Sequence, residues 1–119
     1  DYFRIYMMTT GDLNGIAADV GNNAKSVVVY SNRNRSTMPH EIMHALGLYH
    51  TFDNDGLFTY KLYNTDNIMD YTHKVPGKER FSTNKWQWKI LNSGIWKNFF
   101  YLCYLFHVLV AAKRKIQKS

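Results

Sequence analysis

The run His40-Glu41-Ile42-Met43-His44-Ala45-Leu46-Gly47-Leu48-Tyr49-His50 organises the whole 119-residue chain. On a helix, residues four apart share a face, so His40 and His44 present two imidazole nitrogens to one metal ion. Glu41, one step round, reaches a water on that metal. Gly47 then ends the helix, because a residue without Cβ takes the left-handed conformation that turns a chain sharply. The turn brings His50 back as a third ligand instead of carrying it onward along the axis. Three protein ligands leave one tetrahedral position open, as catalytic zinc sites do and structural ones do not.

Coincidence explains this poorly. With five His, two Glu and seven Gly in the chain, the five fixed positions arise by chance roughly once in 10^5 trials, which separates the full pattern from a bare HExxH. The bland alternative is a buried helix whose histidines are satisfied by carbonyl groups.

HExxHxxGxxH followed by a methionine turn is the metzincin signature, and the chain resembles that clan of zinc endopeptidases. Asn67-Ile68-Met69-Asp70-Tyr71 looks like the Met-turn. The resemblance implies that the Met69 thioether forms an apolar floor under the imidazoles; the plain reading of Met69 is core packing. Tyr71 matches the M-x-Y pattern of astacins and serralysins, which implies a phenol that ligates resting zinc or donates to the oxyanion. His50-Thr51-Phe52 resembles pappalysin-like and cytophagalysin-like enzymes. Pappalysin-like domains carry cysteines around the Met-turn, whereas this chain has only Cys103, so no intrachain disulfide forms.

The fold the resemblance implies is α+β and zincin-like: a small twisted mixed sheet, an active-site helix, a Met-turn and a C-terminal helix. Catalytic domains of the clan are usually longer. With Asp1 opening the chain and no charged apolar leader, a processed form or fragment lacking the first strands and backing helix is expected. Tyr2 to Thr9 reads as a strand, Gly11 to Asn14 as a turn, and Gly15-Ile16-Ala17-Ala18 as a short antiparallel edge strand. In metzincins that edge lines the cleft, and its unpaired amides and carbonyls hold an extended peptide by strand addition. Gly21-Asn22-Asn23 turns the chain, and Ser26 to Tyr30 is a buried strand by its β-branched run. Ser36 or Thr37 caps the active-site helix, and Pro39 suits its first turn. Asp53-Asn54-Asp55-Gly56 has the alternating carboxylates of a calcium loop but lacks the distal bidentate glutamate, so a solvated turn competes. Phe81-Ser82-Thr83 opens a helix that ends near Gly94.

Charge divides the chain. Residues 1–94 hold ten Lys/Arg and nine acids, a balance of +1, whereas residues 95–119 hold five Lys/Arg and no acid, a balance of +5. The tail combines an apolar run from Phe99 to Ala112 with Lys113-Arg114-Lys115. Its fourteen apolar-run residues fall short of the roughly 20 that span a bilayer, so a buried or partner-binding helix competes with a membrane anchor. A nearly neutral body makes nucleic acid an unsuitable partner. Zinc-dependent hydrolysis of protein or peptide substrates by a secreted or cell-surface enzyme is the expectation, with His40, His44 and His50 as ligands and Glu41 and Tyr71 as catalytic groups. The alternative is a weak or inactive metzincin-like module whose tail binds a membrane or partner.

Overall fold

The β-branched run at the centre of the chain builds the centre of the sheet. In the computed structural model, which describes residues 3–20, 26–93 and 95, strand β3 (Ser26–Tyr30) lies between β1 (Arg4–Met8) and β2 (Gly15–Ala17). β1 runs parallel to β3 and β2 antiparallel, so the sheet is mixed. Val27 and Val29 alternate inward and are completely buried, as period-2 patterning requires. β1 is shorter than the sequence suggests, and all five of its residues are exposed.

Helix α1 (Thr37–Ala45) packs across β2 and β3. Its start is organised from outside: Asn34 Oδ1 accepts from Ser36 N at 3.0 Å, Ser36 Oγ at 2.8 Å and Thr37 Oγ1 at 3.1 Å. Ser36 occupies the N-cap position without a side-chain cap bond, and Thr37 is the first helical residue. Asn34 therefore does the capping that the sequence assigned to Ser36 or Thr37, because its longer side chain reaches the first turn from two residues back.

The far end closes as a Schellman motif. Leu48 N–H donates to Met43 O at 3.0 Å and Gly47 N–H to His44 O at 2.8 Å. Gly47 sits at φ 104°, where an L side chain is strained. Close approach on the other side of α1 depends on Gly15: a Cβ there would lie 2.8 Å from Thr37 Cγ2 and 3.0 Å from Glu41 Cγ.

Beyond α1 the chain doubles back through a single 3-10 turn at Thr72–Lys74 to a second helix, α2, over residues 85–93. α2 begins later than its sequence suggests because Ser82 forms a bridge to Asn67. Gln87 Oε1 accepts from Asn84 N at 2.7 Å, half of a capping box. The same amide exchanges two hydrogen bonds with Asn67, at 2.8 and 3.1 Å, with both side chains buried. That pair seats the 67–71 turn on α2 beside a core of Leu48, Met69 and Leu91. The architecture is thus small, mixed α+β, with a three-stranded sheet and two helices. Among the described residues no helix is long and apolar enough to cross a membrane. The Gly21-Asn22-Asn23 turn, the helix end at Gly94, Cys103 and the apolar, basic tail lie outside the described residues.

Gly47→Ala forces a Cβ into the φ 104° position, and we expect a loss of about 1–2 kcal/mol, or several degrees of melting temperature. Thermal melts read by circular dichroism check this; an unchanged midpoint would show that the turn relaxes freely.

Candidate metal centre

Three imidazoles meet beside α1. His40 and His44 lie one turn apart on the helix, and the Gly47 turn swings His50 back across its end, so His44 Nε2 is 3.1 Å from both His40 Nε2 and His50 Nε2. Ligands at about 2.0–2.1 Å from a tetrahedral ion are about 3.3 Å apart, so the spacing matches one shared zinc-sized cation. Among the described residues this triad is the one group of three or more such side chains able to hold a metal ion.

The other ring nitrogen of each histidine faces an oxygen. His40 Nδ1 lies 2.8 Å from Ile68 O, His44 Nδ1 2.6 Å from Leu48 O, and His50 Nδ1 2.9 Å from Asp53 Oδ2. When each Nδ1–H donates to its oxygen, all three Nε2 lone pairs are bare and converge on one point. Neutral lone pairs facing one another repel, and a cation at their focus removes the repulsion. The donor set fits a divalent metal of zinc type.

Burial keeps His40 and His44 deprotonated. It holds the His40 imidazole down to about 2, reinforced by His44 and Arg80, and His44 down to about 4, reinforced by His50. Glu41 moves the other way: burial raises its carboxyl above the ordinary range, although the Ala17 N–H and Arg80 pull it down. His40, Glu41 and Tyr71 line a common cavity against Gly15. The Tyr71 ring lies 4.7 Å from that of His50 and 5.9 Å from that of His40, and burial with the Glu41 charge raises its phenol. Phe52 stacks on His50 at 4.8 Å with a 10° tilt, fixing the ring.

Residues 68–70 form a turn. Met69 is fully buried, its N–H bonded to Asn67 Oδ1 and its carbonyl accepting from Thr51 N–H at 3.1 Å, which ties the turn to the residue after His50. Burial would raise the Asp70 carboxyl, but hydrogen bonds from Thr65, Tyr63 and Tyr71 hold it below its usual value.

Two participants escape sequence reading. Asp53, read as part of a calcium or solvated loop, turns its carboxylate onto His50, accepting from the backbone N–H at 3.0 Å as well as facing the ring. Its position three residues after a ligand is the one available signal. Arg80 is 40 residues from His40 and has no sequence signal, yet it donates Nε to Ser36 Oγ at 2.6 Å and Nη1 to Asp70 O at 2.8 Å. It clamps the start of α1 to the turn beneath the ligands, and Nη1 also comes within 3.0 Å of His40 Nδ1.

No protein-family model, curated protein or solved structure matches this chain. The metal centre therefore stands on its own geometry.

Asp53→Ala frees the His50 ring and its tautomer, and we expect metal affinity to fall about 10- to 100-fold, measured by competition with a chromogenic zinc chelator. Equal affinity would mean that Phe52 stacking alone holds the ring. A second outcome concerns acid. In the metal-free chain the folded pKa values of His40 and His44 lie below the unfolded value of about 6.5, so the unfolded state binds more protons. Stability is complete above that value and falls with pH, by up to about 1.4 kcal/mol per pH unit per imidazole, the His44 part levelling near pH 4 and the His40 part near pH 2. Melts in chelator from pH 7 to 5 should shift steadily downward; a flat profile would show that the folded site accepts protons.

Proposed function

We propose that the chain is a zinc-dependent endopeptidase of metzincin type. The observation that carries this reading is the convergence of three Nε2 atoms with a carboxylate, Glu41, on the adjoining helix position and lining the same cavity. A structural site fills the fourth position with protein; here the fourth side opens onto a cleft of about 560 Å³ bounded by β2.

Bound through His40, His44 and His50, zinc supplies Lewis acidity, bringing the pKa of a water toward ~7 and polarising a carbonyl. Every proton then moves through this chain's own groups. Glu41 takes the proton of the attacking water and passes it to the leaving amine, and its raised carboxyl pKa brings it closer to that exchange at neutral pH. Tyr71 stays protonated, because burial and Glu41 raise its phenol, and so keeps an O–H to donate to the developing oxyanion.

The edge strand orients the substrate. Ala18 N–H and the Asn14 carbonyl pair with β3, so the groups of Gly15 and Ala17 point away from the sheet, toward the cleft. A peptide added to that edge lies along the metal centre, and the Ala17 N–H that bonds Glu41 couples the strand to the base.

Glu41→Gln should keep stoichiometric zinc and the native melt while losing nearly all peptide cleavage, since the carboxylate handles protons and is not a ligand. Metal analysis alongside digestion of a peptide library checks both; comparable hydrolysis by the two proteins would remove Glu41 as the base.

A further inference from the structure

The cleft is charged differently at its two ends. All three histidines of the metal centre line the larger cavity, and His40 and Glu41 also line the smaller one, so the two cavities meet beside the centre. The larger cavity carries Asp19, Asp53 and Asp55 and no lysine or arginine. The smaller, about 110 Å³, carries His73, Lys74 and Arg80, with Glu41 as its one acid.

Arg80 makes the second cavity more than an ordinary basic surface. It is 7% exposed, and its close polar contacts are all to neutral groups: Ser36 Oγ, the Asp70 carbonyl and, at 3.0 Å, His40 Nδ1. Among the described residues it forms no ion pair. A buried guanidinium without a counter-ion is unfavourable, and this one borders open space that an anion can enter. His73 Nδ1, on the same cavity, is shielded from solvent and has no hydrogen-bond partner. Lys74 is exposed, with Nζ 4.5 Å from the Tyr71 ring centroid, beside the catalytic groups.

Strand direction converts this asymmetry into a substrate preference. β2 runs from Gly15, which borders both cavities, through Ala17 toward Asp19 and Val20, which border only the acidic one. An added peptide pairs more stably antiparallel than parallel. It then carries the residues before its scissile bond past Ala17 and Asp19, and those after it past Gly15 into the basic cavity.

We propose that the cavity of His73, Lys74 and Arg80 binds an aspartate or glutamate side chain on the C-terminal side of the scissile bond. This specificity rests on the peptidase reading above. The carboxylate supplies the counter-ion that Arg80 lacks and an acceptor for Lys74, and its charge complements the metal-bearing centre at long range.

The experiment uses the full zinc-loaded chain and fluorogenic peptides that differ only by Glu or Gln at each of the three positions after the cleaved bond. At one of them kcat/KM should favour Glu by about tenfold, and Lys74→Glu should abolish or invert that ratio, with Lys74→Gln between. In parallel, fluorescence anisotropy of the same peptides on Glu41→Gln reports binding without turnover and should show the same order. Cleavage with no Glu/Gln discrimination overturns the subsite and leaves the peptidase reading standing. Preference confined to positions before the bond overturns the antiparallel direction. Glu-dependent binding with no cleavage of any peptide by the wild type overturns the peptidase reading but supports the anion-binding cavity, and absence of both overturns the two together.

Discussion

Three imidazole lone pairs aimed at one point are the constraint around which the described residues are arranged. Each Nδ1 faces an acceptor drawn from a different part of the chain: Leu48 O from the turn that ends α1, Ile68 O from the 67–71 turn and Asp53 from the loop after His50. With the proton on each Nδ1 the three Nε2 atoms are bare, His44 Nε2 lying 3.1 Å from each of the other two, and a cation held between them would relieve that crowding. Binding of a metal there would therefore couple to folding.

The scaffold that bears this cost is small. Val27 and Val29 form the sheet side of α1, and Leu48, Met69 and Leu91 form the side beneath the turn. Among the described residues few apolar side chains are fully buried, and polar contacts take over much of the positioning. The Asn67–Gln87 amide pair fixes the 67–71 turn on α2, Asn34 fixes the start of α1, and Arg80 joins the two. Buried polar groups of this kind define geometry more than they add stability, because each hydrogen bond replaces one made to water. A metal centre needs that definition, since ligand positions matter at the scale of tenths of an ångström.

Electrostatics in the cleft follow from the same economy of parts. Arg80 serves as a clamp through Nε and Nη1, and burial pulls its guanidinium below the ordinary range with no carboxylate paired to it among the described residues. The carboxyl of Glu41 is raised by burial and restrained by the same guanidinium, so one buried cation acts on Glu41, the start of α1 and the wall of the cleft together.

Features set by local spacing are legible in the amino-acid order. Ligands four apart on one helical face, a glycine where the backbone needs φ 104°, a β-branched strand at Ser26–Tyr30, a short edge strand at Gly15–Ala17 and a buried methionine at 69 follow from periodicity, backbone sterics and motif spacing. Tertiary structure alone decided which distant groups complete the centre. Asp53 turned its carboxylate onto the His50 ring, Arg80 came 40 residues back to His40 on α1, Asn34 displaced the expected cap, and the bridge from Asn67 to Ser82 delayed α2. Hydrogen-bond and charge partners separated by tens of residues leave no period in the sequence, because nothing in the local backbone links them; they meet only when the sheet, α1 and the turn have closed on one another.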